Sequence, residues 1–418
     1  MTSLTATVCL ALALVCIHSA GLASAAKPAK PAPIPPPTYL YVWAGATDPS
    51  KAKDSLFVVK VADGTIVNTV ETSFNGLEPH HCRVSVDKRW LGCGGLLAVL
   101  SGLPSVHFFS LADPALPVYV PDVPQPQHGA IADEFLTTPE GGFATTMMGS
   151  ETGGSPGRVV LYDKDLKLVG EYPEDVSGDK ATGLNPHGIA IDWKRDTAVT
   201  VDYMEPASTL VGNTLAVRTT VRLWDTRTWT IKETVDVGKT GGAGILDVQQ
   251  VGSTPGYFFT THTGQMYYLD SRGPAPHVPV LVYNITEPGT SPLSEQIHSF
   301  RNGKRLFLGN YLESKVLLFD TSTPLRPRLL DTLQLAKGSG AHMVMLAPDG
   351  RTGVVATYFL DEGAAGQIHL AGDSTVHVFK IDGGAKRFLT KNRGAYTLDF
   401  KTLFPAKGAF RPHGVAFL

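Results

Sequence analysis

The 418-residue sequence has no surplus of positive charge, since 36 Lys and Arg stand against 38 Asp and Glu. Neutralising a phosphate backbone needs such a surplus, so no nucleic-acid partner is expected. Beyond the N-terminal segment no window approaches the ~18 consecutive apolar residues that cross a bilayer, so no membrane contact is expected of the mature chain. Cysteine is scarce, four in all. The HExxH and paired CxxC patterns of common zinc sites are missing, as are a GxSxG elbow and a glycine-rich phosphate loop. What is abundant is apolar side chain, 43% of residues, together with 43 Gly and 30 Pro. That composition buries a large core broken by many turns, and it excludes disorder and coiled coil.

Residues 1–25 carry no Lys, Arg, Asp or Glu, and residues 8–17 form an apolar run too short to span a membrane. Ala23-Ser24-Ala25 supplies small residues for cleavage, so residues 1–25 read as a signal peptide, although the usual positive n-region is missing. Residues 26–37 are rich in Pro and form an extended spacer. The folded domain is expected over residues 38–418, in a secreted or periplasmic protein. Cys9 and Cys16 leave with the signal. Cys82 and Cys93 stay, and they face each other if Asp87-Lys88 forms a two-residue hairpin loop. A cross-strand disulfide, two half-buried thiols and a reactive Cys93 are the three readings.

One pattern repeats through the chain: a β-rich apolar run closed by aspartate, as in Val221-Arg222-Leu223-Trp224-Asp225 and Val316-Leu317-Leu318-Phe319-Asp320. The closing residues are Asp63, Asp113, Asp163, Asp225, Asp270, Asp320 and Asp382, spaced 50, 50, 62, 45, 50 and 62 apart. This spacing suits a four-stranded propeller blade with generous loops, and seven units predict an all-β, seven-bladed β-propeller. The chain ends in one unmatched strand, residues 413–418, and begins with residues 39–44, a second strand without a first. Pairing these termini closes the ring and removes exposed sheet edges.

The predicted innermost strands begin at His80-His81, His128, His187, Asp247, His298, His342 and His413, so six of seven carry histidine. Innermost strands line the channel of a propeller, so these side chains are expected to form a ring. Imidazoles gathered in a narrow channel suit copper, iron or zinc and serve magnesium or calcium poorly. The alternative is that they only fill the channel. Asp247 is a ligand, an orienting carboxylate or a proton acceptor, and Glu78 and Glu295 are weaker candidates for the same work. His107, His262, His277, His369 and His377 fall off the ring. The Asn284-Ile285-Thr286 sequon marks Asn284 as a glycosylation site if the source is eukaryotic.

The stretch Leu306-Phe307-Leu308-Gly309-Asn310-Tyr311-Leu312, continued by Asp320-Thr321-Ser322-Thr323-Pro324-Leu325-Arg326-Pro327-Arg328-Leu329, resembles the selenium-binding protein family, which includes copper-dependent methanethiol oxidases. The similarity runs over most of residues 38–418 and implies a seven-bladed propeller. By resemblance, His80-His81 after Glu78, then His128 and His413, match the family's histidines, and Asp247 matches its acid. The chain departs from the pattern at His342, where the family has Gln, at His187 and His298, where it lacks His, and at His413-Gly414, which stands for His-Glu. It also lacks the family's Cys-rich N-terminal stretch and the two-Cys cluster near Cys93.

The function these residues suggest is a metal-dependent oxidase, with copper expected ahead of iron and zinc, acting on a small thiol with O2. His80, His81, His128 and His413 would hold the metal, supported by His187, His298, His342 and Asp247. The rival functions are a metal- or selenium-binding protein without turnover and a propeller that presents loops to a protein partner.

Overall fold

The computed structural model describes residues 35–212, 214–285, 293–361, 368–389 and 394–418. The expected signal segment and most of the spacer lie outside the described residues, as does Thr286 of the sequon. Asn284 is exposed at the end of its strand.

Seven four-stranded antiparallel sheets follow one another as blades. The second comprises Pro79–Val84, Trp90–Gly95, Val106–Ser110 and Val118–Val120, and the third Gly129–Thr137, Phe143–Ser150, Arg158–Tyr162 and Leu168–Tyr172. The fourth to seventh have their innermost strands at Pro186–Asp192, Ile245–Gln250, Ser294–Phe300 and Met343–Leu346. The first blade is completed by the C-terminus: Phe410–Phe417 is its innermost strand, paired with Tyr39–Ala46. Thr38 and Leu418 continue this pairing through Thr38 N–H to the Leu418 carbonyl at 3.1 Å. The ring therefore closes as the sequence predicts. Apolar clusters knit neighbouring blades together, and one of them joins Val42 and Phe57 to Met343, Val354 and Val415. Among the described residues no helix is long and apolar enough to cross a membrane.

The repeating aspartate has a local cause. In all seven blades its carboxylate accepts the backbone N–H two residues on, from Thr65, Ala115, Asp165, Arg227, Arg272, Ser322 and Gly384, at 2.8–3.2 Å. Each such turn stops a third strand and starts the hairpin to the fourth, because the short side chain offers the backbone an alternative to the ladder.

A second device repeats on the innermost strands. In the first six blades the innermost strand carries a β-bulge, with the register shifting around His413, His80-His81, Asp133-Glu134, His187-Gly188, Leu246-Asp247 and Glu295-Gln296. A bulge sets two residues against one and bends the strand locally, which can re-aim a side chain. The glycine after His413 and after His187 makes room for the next strand: a Cβ on Gly414 would stand 2.1 Å from the His80 carbonyl oxygen, and one on Gly188 would stand 2.8 Å from the Asp247 Cα.

Of the three readings for the cysteines, the disulfide is the one found. Cys82 lies directly opposite Cys93, with a Cα separation of 4.2 Å and a covalent bond between them. It ties the strand that carries His80 and His81 to its neighbour.

Candidate metal centre

Five histidines converge behind the bulges. His80, His81, His187, His342 and His413 are all buried. The rings of His80 and His81 stack at 4.6 Å, that of His413 lies 3.9 Å from His80, and that of His342 lies 4.5 Å from His413. His342 Nε2 and His413 Nε2 are 2.9 Å apart.

Two carboxylates that the sequence reading passed over complete the cluster. Asp133 and Glu134 are buried, and Glu134 Oε2 meets His81 Nδ1 at 2.8 Å while its other oxygen accepts from Arg83 Nη2 at 2.8 Å. Asp133 Oδ2 lies 3.0 Å from His187 Nε2, and Oδ1 lies 3.4 Å from both His80 Nε2 and His81 Nδ1.

The electrostatics follow from burial. Desolvation, with neighbouring imidazoles, holds His80, His342 and His413 well below the ordinary histidine value, so these rings are neutral and keep a lone pair. His187 is lowered by burial as well. Burial also pulls on His81, but the hydrogen bond and charge of Glu134, joined by Asp133 and Asp247, outweigh it and raise the pKa. Glu134 shows the converse, since burial is overcome by His81 and Arg83 and its pKa falls to about 2. A carboxylate on Nδ1 fixes the tautomer and orientation of His81 and leaves Nε2 for a metal.

The donor set passes a direct test for a metal. Both nitrogens of His80, Nε2 of His81 and both oxygens of Asp133 are buried without a hydrogen-bond partner. Orphaned buried donors of this kind are costly, and a bound cation relieves them. Two groups, His80 with His81 and His413, and His80 with Asp133 and His187, each bring their ligand atoms within 4.8 Å of one another. An apolar cluster that includes Leu96, Met148, Leu246, Tyr203 and Phe359 lies against the histidines. Its Phe359 ring stands 4.8 Å from His342 and its Tyr203 ring 5.2 Å from His187.

The expected ring needs correction at His128 and at His298, which lies two residues beyond the bulge of its strand. His128 is exposed, outside the cluster, and its backbone N–H, with those of Gln127 and Gly129, is bound to the Glu171 carboxylate. The third innermost strand is longer than expected, and its bulge comes after Ile131, which adopts a positive φ of 67°. Asp133 and Glu134 therefore occupy the bulge of this strand, the place expected for His128. Counting back from the first hairpin loop finds them: Cys82 to Ser85 separate His80-His81 from the loop at residues 86–89, and Phe135 to Thr138 separate Asp133-Glu134 from the loop at residues 139–141.

The other expected residues lie near the centre but outside both groups. Asp247 uses its oxygens to accept Val248 N–H at 2.6 Å and Ile297 N–H at 2.9 Å, which bridges two blades, and burial with the charge of Glu134 pushes its pKa up to about 7. Glu78 is buried and accepts from the Tyr358 hydroxyl, with Arg411 Nη1 3.6 Å away, and burial raises it to about 7. His298 is partly exposed and lies two residues beyond Gln296, whose amide donates to Glu134 at 3.2 Å. Glu295 forms part of its strand's bulge.

No family model matches the chain. Among characterised proteins it is similar to a methanethiol oxidase of Ruegeria pomeroyi, 22% identical over 316 residues, covering 69% of this chain and 71% of that protein. A methanethiol oxidase of a Hyphomicrobium species is 22% identical over 334 residues, covering 75% and 74%. Among solved structures, one described as a hypothetical selenium-binding protein from Sulfolobus tokodaii superposes with a TM-score of 0.76 at 16% identity, covering 92% of this chain and 94% of that one. The periplasmic gluconolactonase of Pseudomonas aeruginosa gives 0.64 at 13%, covering 91% and 99%. The structures share the propeller fold. The relatives agree with the resemblance read from the sequence, at the distance of a divergent member.

Proposed function

We propose that this protein is a copper-dependent oxidase of a small thiol such as methanethiol, working outside the cytoplasm. The observation that carries the proposal is His81, backed by Glu134 on Nδ1 and offering an orphaned Nε2 to a cluster of neutral imidazoles. The similarity to two methanethiol oxidases supplies the reaction class. His80, His81 and His413 would hold the metal. A bound copper would favour the thiolate over the thiol and pass electrons towards O2.

The chain's own residues supply the rest. Glu134 orients His81, and Arg83 keeps Glu134 ionised. Asp247, whose pKa burial pushes up to about 7, would be the buried carboxylate to take the proton that the thiol gives up. The apolar cluster around Phe359 and Tyr203 excludes water and favours a small uncharged substrate. In the reaction the thiol carbon loses two electrons and rises to the aldehyde level. One O2 takes the electrons to become peroxide, water provides the aldehyde oxygen, and sulfide leaves. The disulfide, and the short apolar run of residues 8–17 followed by Ala23-Ser24-Ala25, support a secreted or periplasmic location.

The test is O2 uptake by copper-loaded protein with methanethiol, alongside measured formaldehyde, sulfide and peroxide. Equimolar products support the proposal. Retained copper without thiol-dependent O2 consumption overturns the oxidase and leaves a metal-binding protein without turnover.

A further inference from the structure

The cluster holds more donors than one ion takes. An open catalytic site uses about three protein ligands and a closed one about four, whereas His80, His81, His187, His342, His413 and Asp133 all converge here. They form two groups with His80 in common, one with His81 and His413 and the other with Asp133 and His187. His342 joins the first through its 2.9 Å contact with His413. We propose that the channel holds two cations, one among His81, His342 and His413 and the other between His187 and Asp133, with His80 shared between them.

The Asp133 side carries the new part of this inference. Its oxygens lie 3.0 Å from His187 Nε2 and 3.4 Å from His80 Nε2, yet neither oxygen makes a hydrogen bond. Polar atoms that are close without donor-to-acceptor alignment face a common point rather than each other, as ligands do. Both nitrogens of His80 are buried and unpartnered, so with its N–H proton released to solvent on metal binding the ring can bridge the two ions as an imidazolate, one nitrogen to each. The chemistry of the halves differs. An all-imidazole half suits copper, while two imidazoles and a carboxylate suit a borderline divalent ion such as iron or zinc. Two ions side by side provide a pair of neighbouring centres for a two-electron oxidation.

This inference rests on the reading that the channel binds metal, and stoichiometry separates the two. The full chain is stripped of metal, loaded with Cu(II), desalted, and its bound copper counted, with the electron paramagnetic resonance signal integrated on the same sample. Two copper ions per chain are expected, with a signal well below the copper content because close neighbours couple magnetically. The double variant Asp133→Asn/His187→Gln should retain one copper and recover one spin per ion, and His342→Gln/His413→Gln should do the same. One copper per wild-type chain with a full signal overturns the second cation and leaves the metal-binding reading standing. No retained copper overturns both, and neither wild-type measurement depends on how well the variants fold.

Discussion

The hairpins at the outer edge of each blade and the bulges at its inner edge are both sevenfold or nearly so, yet they are built on opposite terms. Every outer turn uses the same residue, aspartate, because the turn needs a short side-chain acceptor for one backbone N–H. The inner bulges share a backbone shape but carry His80-His81, Asp133-Glu134, His187-Gly188, Leu246-Asp247, Glu295-Gln296 or His413. The bulge is made by the main chain, so its side chains are free for chemistry. Scaffold and site are thus separated within a single repeat, and changes at the two edges should have different consequences.

The largest effect should come at the inner edge. Replacing His413 with Ala removes a fully buried ligand candidate from the closing strand, and metal affinity should fall at least ~100-fold, more than loss of an outer-shell partner costs. The metal-free fold should survive, since the closing strand is held by its backbone pairing with residues 39–46 and by the apolar cluster around Val42 and Val415. Metal counting beside thermal unfolding checks both halves. Unchanged metal with a collapsed fold would make the histidine structural and erase the contrast between the two edges.

Much of this was legible in the sequence for a physical reason. The closing aspartates gave the blade count because turn chemistry ties a residue type to a position, and the hairpin loop after Ser85 set Cys82 against Cys93. The ring was legible only in part. His80, His81, His187, His342 and His413 were found by residue type. Asp133 and Glu134 were missed because a bulge adds a residue that periodicity does not announce, and the Pro-Gln-His-Gly stretch before the third strand imitates the start of its neighbours. Tyr203 and Phe359 sit on connections between strands, where no repeat leads to them.

Acid should stress the metal-free protein through buried neutral imidazoles. His107 is fully buried beside Trp43, with Nδ1 3.1 Å from the Tyr119 hydroxyl, and burial lowers its pKa to about 4. Between that value and the ~6.5 of an unfolded histidine the unfolded chain binds the proton and the native chain does not, so stability rises with pH. The contribution is whole above pH ~6.5 and is lost as pH falls towards 4, about 3 kcal/mol in total. In His107→Gln the slope of unfolding free energy against pH should shrink by about one proton over this window. An unaltered slope would show that His107 is not held neutral. His80, His342 and His413 should steepen the same slope in metal-free protein, and bound metal should flatten it.

At the outer edge the effects should be smaller and confined to stability. Asp113→Ala removes one exposed turn acceptor, the 2.9 Å bond from Ala115 N–H, and should cost about 1 kcal/mol by denaturant unfolding while metal content stays at the wild-type level. Loss of metal in this variant would mean that the outer turn sets the geometry of the histidine cluster.

The smallest effect belongs to His128, and it tests the register of the third blade most sharply. What pins that corner is the Glu171 carboxylate, which accepts three successive backbone N–H groups at 2.7–2.9 Å, while the His128 side chain is exposed. His128→Ala should therefore leave metal content and turnover unchanged and shift stability by no more than about 0.5 kcal/mol, the range of a surface substitution. If instead it sheds metal as His413→Ala does, the bulge after Ile131 is misplaced, and Asp133 and Glu134 must yield the channel to the histidine that residue type alone would choose.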